Sequence, residues 1–248
     1  LMAGATKTAD QDDSHGEGSW LAHHFETPNQ QFESAKLGMW LFLGQEVLFF
    51  SGLFVAYGVF LVNYPDAFAA GADQLNRIIG GFNTCVLLVS SFTAAMAVRS
   101  AQLGERGKTT TNLGITIVCA FAFLVVKYFE YKAKIDHGLL PGESFAPDLE
   151  HINWAFTGLS QAQIEAGLEQ GGLLLPPKTH VFFGIYFVLT GLHGLHVAIG
   201  IGVLAWVLIR NLRGDFTRDY WTPVDIAALY WHLVDLVWIY LFPLLYLI

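Results

Sequence analysis

The sequence predicts an all-α integral membrane protein, a bundle of five transmembrane helices. Apolar residues make up 54% of the 248 residues and charged residues only 14%. These charges are too few to cover the surface of a water-soluble domain. The mean hydropathy is +0.46, and the charges cluster between long apolar runs. Such an alternation is typical of chains that cross a membrane several times.

A polar arm of residues 1–35 precedes the membrane domain, residues 36–248. The arm is acid-rich, and no apolar stretch follows a basic start, so it does not resemble a signal peptide. Its composition is typical of disorder. The whole chain carries a net charge of −8 and two cysteines, which argues against nucleic-acid binding and against a cysteine-based metal site.

Five apolar runs are long enough to cross a hydrocarbon layer, which needs about 20 residues. They are 37–62, 78–98, 113–133, 181–209 and 226–248. The third run is interrupted near its end by Lys127 and Glu130, which are three residues apart. These two side chains either form an ion pair or leave Lys127 free to extend toward the lipid headgroups.

The basic residues predict that the N-terminus is inside and the C-terminus outside, because positive charge concentrates in the inner loops. This orientation places eight basic residues inside and four outside. The inner ones are Lys7, Lys36, Arg99, Arg106, Lys108, Arg210, Arg213 and Arg218, and the outer ones are Arg77, Lys132, Lys134 and Lys178.

A long acidic loop, residues 136–178, lies on the predicted outer side. Within it, Ser160 followed by Gln163 resembles a capping box and predicts a short helix that ends near Glu169. The acidic side chains are either simply solvated or attract a basic partner protein.

Glu46 is the most unusual residue of the first run. It lies about 14 Å into the span, at 1.5 Å per residue, among almost exclusively apolar neighbours. A carboxyl group there is expected to be protonated or firmly paired. It serves either as a structural hydrogen-bonding group between helices or in a role that involves protons, lipid or a partner.

Two histidines, His193 and His196, lie in the middle of the fourth run. At i and i+3 they share one helix face, so they cannot bind opposite sides of one haem iron. Axial ligation by one of them together with His232 stays open, but hydrogen bonding to another helix is favoured.

The same run carries a ridge of small residues, Gly194, Ala198 and Gly202. Small residues spaced by four let another helix approach closely. In the fifth run, His232 and Asp235 are again three residues apart. They form either a local pair or a site where an acid orients an imidazole ring.

Four segments together resemble one family, cytochrome c oxidase subunit III of the haem–copper oxidases. They are residues 45–50 (QEVLFF), 129–131 (FEY), 190–197 (TGLHGLHV) and 228–238 (ALYWHLVDLVW). They occur in the family's order and extend over most of the membrane domain. Many members have seven helices, and the five predicted here match the family's five-helix form.

The resemblance implies a helical subunit without a redox centre, packed mainly on subunit I and also near subunit II and small subunits. Haem and copper would belong to those partners, while this chain would hold bound phospholipid, no metal and no catalytic residue. It would support the stability of subunit I and proton uptake in a proton-pumping complex. The electron donor would be cytochrome c or a quinol-oxidising complex.

On the matching positions, Glu46 would be the intramembrane acid near the subunit I contact. Glu130, His193, His196, His232 and Asp235 would form an interior polar network. We expect a bacterial cytoplasmic membrane, crossed several times. Three alternatives stay open: the equivalent subunit of a quinol oxidase or nitric-oxide reductase relative, a stand-alone proton-coupled transporter, and a membrane haem protein.

Overall fold

The computed structural model describes residues 25–142, 145–172 and 174–248, and every regular element in them is helical. Most of the predicted polar arm therefore lies outside the described residues. The helices are α1 (Pro28–Asn63), α2 (Pro65–Ala72), α3 (Arg77–Gln102), α4 (Arg106–Asp136), α5 (Gln161–Glu169), α6 (Thr179–Arg213) and α7 (Thr222–Tyr246). Two 3-10 turns, Leu149–His151 and Ala155–Thr157, lie between α4 and α5.

Five of these helices, α1, α3, α4, α6 and α7, are long and apolar enough to span a membrane. The predicted all-α bundle with five spans is confirmed. Helix α1 begins well before its apolar run, because Thr27 accepts a hydrogen bond from the backbone N–H of Gln30 and Pro28 occupies the first turn. A capping hydroxyl followed by proline favours a helix start.

Side-chain contacts define the two ends of the bundle. At the basic end, where α1, α4 and α7 begin, Lys36 pairs with Asp225 at 3.3 Å. Arg106 there donates to the carbonyl of Asn211 at 2.7 Å. At the opposite end, called the loop end, Gln74 donates to the carbonyl of Asn153 at 2.8 Å. The five spans thus alternate in direction.

The core lies among α3, α4, α6 and α7 and is rich in large aromatic side chains such as Trp231, Trp238, Phe123 and Tyr186. A close contact between α6 and α7 is at Gly200, where a Cβ atom would lie 2.8 Å from the Trp231 ring. Helix α1 packs on the outside and is the least buried of the five spans, while α7 is the most buried.

The long loop folds over the loop end. The capping box is confirmed, since the backbone N–H of Ser160 donates to Gln163 Oε1 at 3.0 Å and α5 follows. Nearer its start, His151 Nδ1 lies 2.8 Å from Asp148 Oδ2. This hydrogen bond lowers the pKa of Asp148 below its ordinary value.

Lys134 is not a loop residue as the count of basic residues assumed. It lies in the last turn of α4, is buried, and pairs with Glu130. A paired interior lysine is a poor indicator of loop charge. Without it, the outer side keeps three of its four basic residues, and the orientation stays a prediction.

Candidate functional site

Glu46 of α1 and His196 of α6 form a polar pair at the edge of the bundle. Their Oε2 and Nε2 atoms are 3.0 Å apart, although 150 residues separate them in sequence. His196 Nδ1 lies 2.8 Å from the carbonyl oxygen of Leu192. A carbonyl oxygen only accepts hydrogen bonds, so Nδ1 carries a hydrogen. The Phe50 ring packs edge-on against the imidazole, with centroids 5.3 Å apart.

This geometry places one hydrogen between Glu46 Oε2 and His196 Nε2. With Nδ1 protonated, Nε2 of a neutral ring has a lone pair that accepts a proton or hydrogen bond from the Glu46 carboxyl group. The alternative state is an imidazolium paired with a carboxylate. Both states fit the same heavy-atom arrangement, and neither leaves an uncompensated charge in the membrane.

The α1 surface near this pair has few partners among the residues that the structure describes. Trp40, Leu41, Leu48 and Val55 are all more than half exposed. Large apolar side chains exposed on a membrane span face lipid or another subunit. The Glu46–His196 pair therefore lies next to a surface that is available for such contacts.

A second polar cluster, the α4 ion triad, consists of Lys127, Glu130 and Lys134. Lys127 Nζ donates to Glu130 Oε2 at 2.8 Å, and Lys134 Nζ lies 3.4 Å from Glu130 Oε1. Tyr246 and Tyr186 donate to the same Oε1, at 2.6 and 3.2 Å. All three charged side chains are buried, so the alternative in which Lys127 extends toward the headgroups is wrong.

The sequence analysis missed one member of this cluster, Lys134, and its two tyrosine partners. Lys134 could have been found, because it lies four residues after Glu130 and seven after Lys127 on one helix face. Tyr186 and Tyr246 come from α6 and α7. No local pattern links them to α4.

The remaining predicted polar residues do not join one connected network. His193 is buried between the rings of Phe123 and Trp238, at centroid distances of 5.5 and 5.2 Å, and neither ring nitrogen has a hydrogen bond to a described residue. His232 Nδ1 is 2.8 Å from Ser91 Oγ.

Asp235 is buried near Ser91. Its carboxylate oxygens have no well-formed hydrogen bond to the described residues. The five positions are thus divided among separate helix contacts, and their joint role stays a prediction.

The small-residue ridge also has no partner among the described residues. A Cβ atom on Gly194 or Gly202 would meet nothing within 4 Å, and Ala198 is exposed. The ridge stays a prediction for a contact outside the chain. Within the chain, the close helix approach occurs at Gly200 instead.

Comparison with known proteins identifies the family. The family model for cytochrome c oxidase subunit III matches residues 6–136 and 178–248. The chain belongs to the cytochrome c oxidase subunit III family. It is 32% identical to cytochrome c oxidase subunit 3 of Oncorhynchus mykiss and 33% identical to that of Loxodonta africana. Each comparison extends over 236 residues, 93% of this chain and 74% of the relative.

The family assignment confirms the predicted role, a subunit III in a haem–copper oxidase complex, and sets aside the transporter and haem-protein alternatives. The family match omits residues 137–177. These residues nearly coincide with the long acidic loop, so the loop is a feature of this chain beyond the family's common pattern.

Proposed function

We propose that this subunit takes no part in the redox chemistry and supports subunit I of a proton-pumping oxidase through the α1 surface beside Glu46 and His196. The observation that carries the proposal is the hydrogen-bonded Glu46–His196 pair at the edge of the bundle, next to exposed apolar side chains of α1. Haem and copper would belong to the partner subunits. Subunit I would cover part of this surface.

The pair would act by keeping a titratable group at a fixed position near the entry of protons into subunit I. Because Nδ1 of His196 is held by the Leu192 carbonyl, the ring cannot rotate away from Glu46 without losing a hydrogen bond. Such a fixed pair stabilises the local structure in both of its proton arrangements. The expected benefit is sustained turnover rather than a faster chemical step.

The wider assembly would include subunit II, small subunits and bound phospholipid, with cytochrome c as the electron donor. The relatives' names support this donor, and a quinol-oxidising complex is the alternative. The basic end, which holds Lys36, Arg106 and Arg213, would face the cytoplasm of a bacterial cell. The C-terminus would lie outside.

The test is Glu46→Gln in the purified complex, with Glu169→Gln in the exposed loop as the matched control. Glutamine keeps the shape and a hydrogen-bond donor but does not titrate. We expect the initial oxygen consumption to stay within a few-fold of the native rate, because the metals are in the partner. We expect earlier inactivation during turnover, or less proton release per electron. The control should behave as the native complex.

An immediate loss of oxygen consumption by roughly a hundredfold, with the complex assembled and its haems intact, would place Glu46 in the chemical path. Unchanged inactivation and proton release in Glu46→Gln would contradict the supporting role.

A further inference from the structure

A cavity of about 950 Å³, the loop-end cavity, opens between α3 and α4 beneath the long loop. Its walls are mostly apolar and include Ile79, Phe82 and Phe129, and Ile152 of the loop closes its top. Phe82 and Phe129 are more than half exposed. The cavity is therefore accessible sideways from the membrane, and its volume is within the range of ligand sites.

The wall of this cavity also carries charge. Glu130 and Lys134 both line it. The α4 ion triad contains two ammonium groups and one carboxylate, so its formal charge is +1. Asp73, an acid on the rim, is already paired with Arg77 at 2.9 Å. An anion in the cavity would neutralise the excess positive charge.

Lys134 in particular has unused donors. An ammonium group has three N–H bonds. Among the described residues, Lys134 makes one long hydrogen bond, 3.4 Å to Glu130 Oε1, and its Nζ lies 5.4 Å from the centroid of the Tyr186 ring. That oxygen already accepts from Tyr186 and Tyr246. The side chain is only 6% exposed. A buried ammonium with so few acceptors favours a further anionic partner.

The position of Lys134 along α4 corresponds to the level of lipid headgroups. The 31 residues of α4 span about 46 Å at 1.5 Å per residue. A helix centred on a hydrocarbon core of about 30 Å extends about 8 Å beyond it at each end. Lys134 is two residues from the helix end, so it lies about 5 Å outside the hydrocarbon core.

We propose that the loop-end cavity binds an anionic phospholipid of the leaflet on that side. Its phosphate contacts Lys134, and one acyl chain lies against Ile79, Phe82 and Phe129. The loop residues that close the cavity lie outside the family match, so the site is particular to chains with this loop. It does not depend on the proposed role of Glu46.

The test uses the purified oxidase complex, stripped of loose lipid and incubated with vesicles. The vesicles carry either phosphatidylglycerol or phosphatidylcholine with a photoactivatable group in the acyl chain. Lys134→Met removes the charge, and Ala133→Phe fills the cavity but keeps the ion triad. Lys132→Met, an exposed neighbour on α4, is the matched control. Peptide mapping measures the labelling of residues 78–82 and 126–133.

We expect phosphatidylglycerol to label these segments in the native complex and in Lys132→Met. Labelling should fall roughly tenfold or more in Lys134→Met, because the phosphate loses a hydrogen bond to a charged group and its affinity falls by that factor. Ala133→Phe should also lose the labelling by phosphatidylglycerol. This variant tests the proposal even if Lys134→Met does not assemble. Equal labelling by phosphatidylcholine would overturn the proposal, as would unchanged labelling in Ala133→Phe. Displacement by inorganic phosphate alone would show a free-anion site and also overturn it.

Discussion

Gly200→Ala should destabilise the bundle, because the added methyl group has no room. Its carbon would lie 2.8 and 2.9 Å from two carbons of the Trp231 ring and 3.2 Å from the Tyr230 ring. Carbon atoms at rest are about 3.5–4.0 Å apart. The Trp231 ring is fully buried, and its Nε1–H donates to Ser90 Oγ at 2.8 Å. The ring cannot move aside without weakening that bond.

The magnitude follows from three contributions. Inserting a methyl group into a packed core costs about 1–3 kcal/mol, and loss of the Trp231 hydrogen bond costs about 1 kcal/mol. Replacing glycine by alanine in a helix regains about 1 kcal/mol. The net loss is about 1–3 kcal/mol, a factor of roughly 5–150 in the unfolding equilibrium constant.

The assay is unfolding in mixed micelles of increasing dodecyl sulfate content, followed by tryptophan fluorescence. Gly202→Ala is the matched control, because its added carbon would meet nothing within 4 Å of the described chain. It should unfold at the native midpoint or above. A Gly200→Ala midpoint equal to that of the control would refute the close packing at Trp231. In the complete complex, weaker subunit retention in Gly202→Ala would indicate that the small-residue ridge contacts another subunit.

The remaining predictions concern charge and topology. Lys127→Met should cost about 1.5–3 kcal/mol, because Glu130 loses a hydrogen bond from its closest cation but keeps Lys134 as a partner, and the same micelle titration measures it. The hydrogen bond from His151 lowers the pKa of Asp148. This hydrogen bond therefore stabilises the folded loop fully above pH 3.8, and the stabilisation is lost as pH falls through the lowered pKa. Hydrogen exchange of the loop should show this loss, whereas Asp148→Asn should show none. In a cysteine-free background, cysteine at Glu165 should react with impermeant reagents from outside and cysteine at Arg213 should not. The reverse result would contradict the predicted orientation.

The fold was predictable because its main signals are local. A membrane span requires a continuous apolar run, and the short helix α5 requires only the capping pattern at Ser160 and Gln163. The start of α1 was predicted too late, since hydropathy alone does not detect the capping geometry at Thr27 and Pro28. Lys134 was assigned to a loop because the prediction followed hydropathy alone. The apolar run ends before the helix does.

The site was predictable only one residue at a time. An acid at Glu46 and a histidine at His196 each required a partner in the membrane, but no local pattern pairs residues so far apart in sequence. Tyr186 and Tyr246 could not be assigned to Glu130 either, because helix order and rotation decide which side chains meet. Lys134 is the exception, since its spacing from Glu130 is a helical pattern.

The two polar clusters differ in what surrounds them, and this difference separates stability from function. The α4 ion triad is enclosed by aromatic side chains of the most buried span, α7, so its replacement must first affect folding. Glu46 is on α1, the least buried span, so the bundle can tolerate a replacement at this position. A glutamine at Glu46 therefore leaves the core contacts intact, and any change in oxidase turnover that it causes must arise from the proton or from the partner surface.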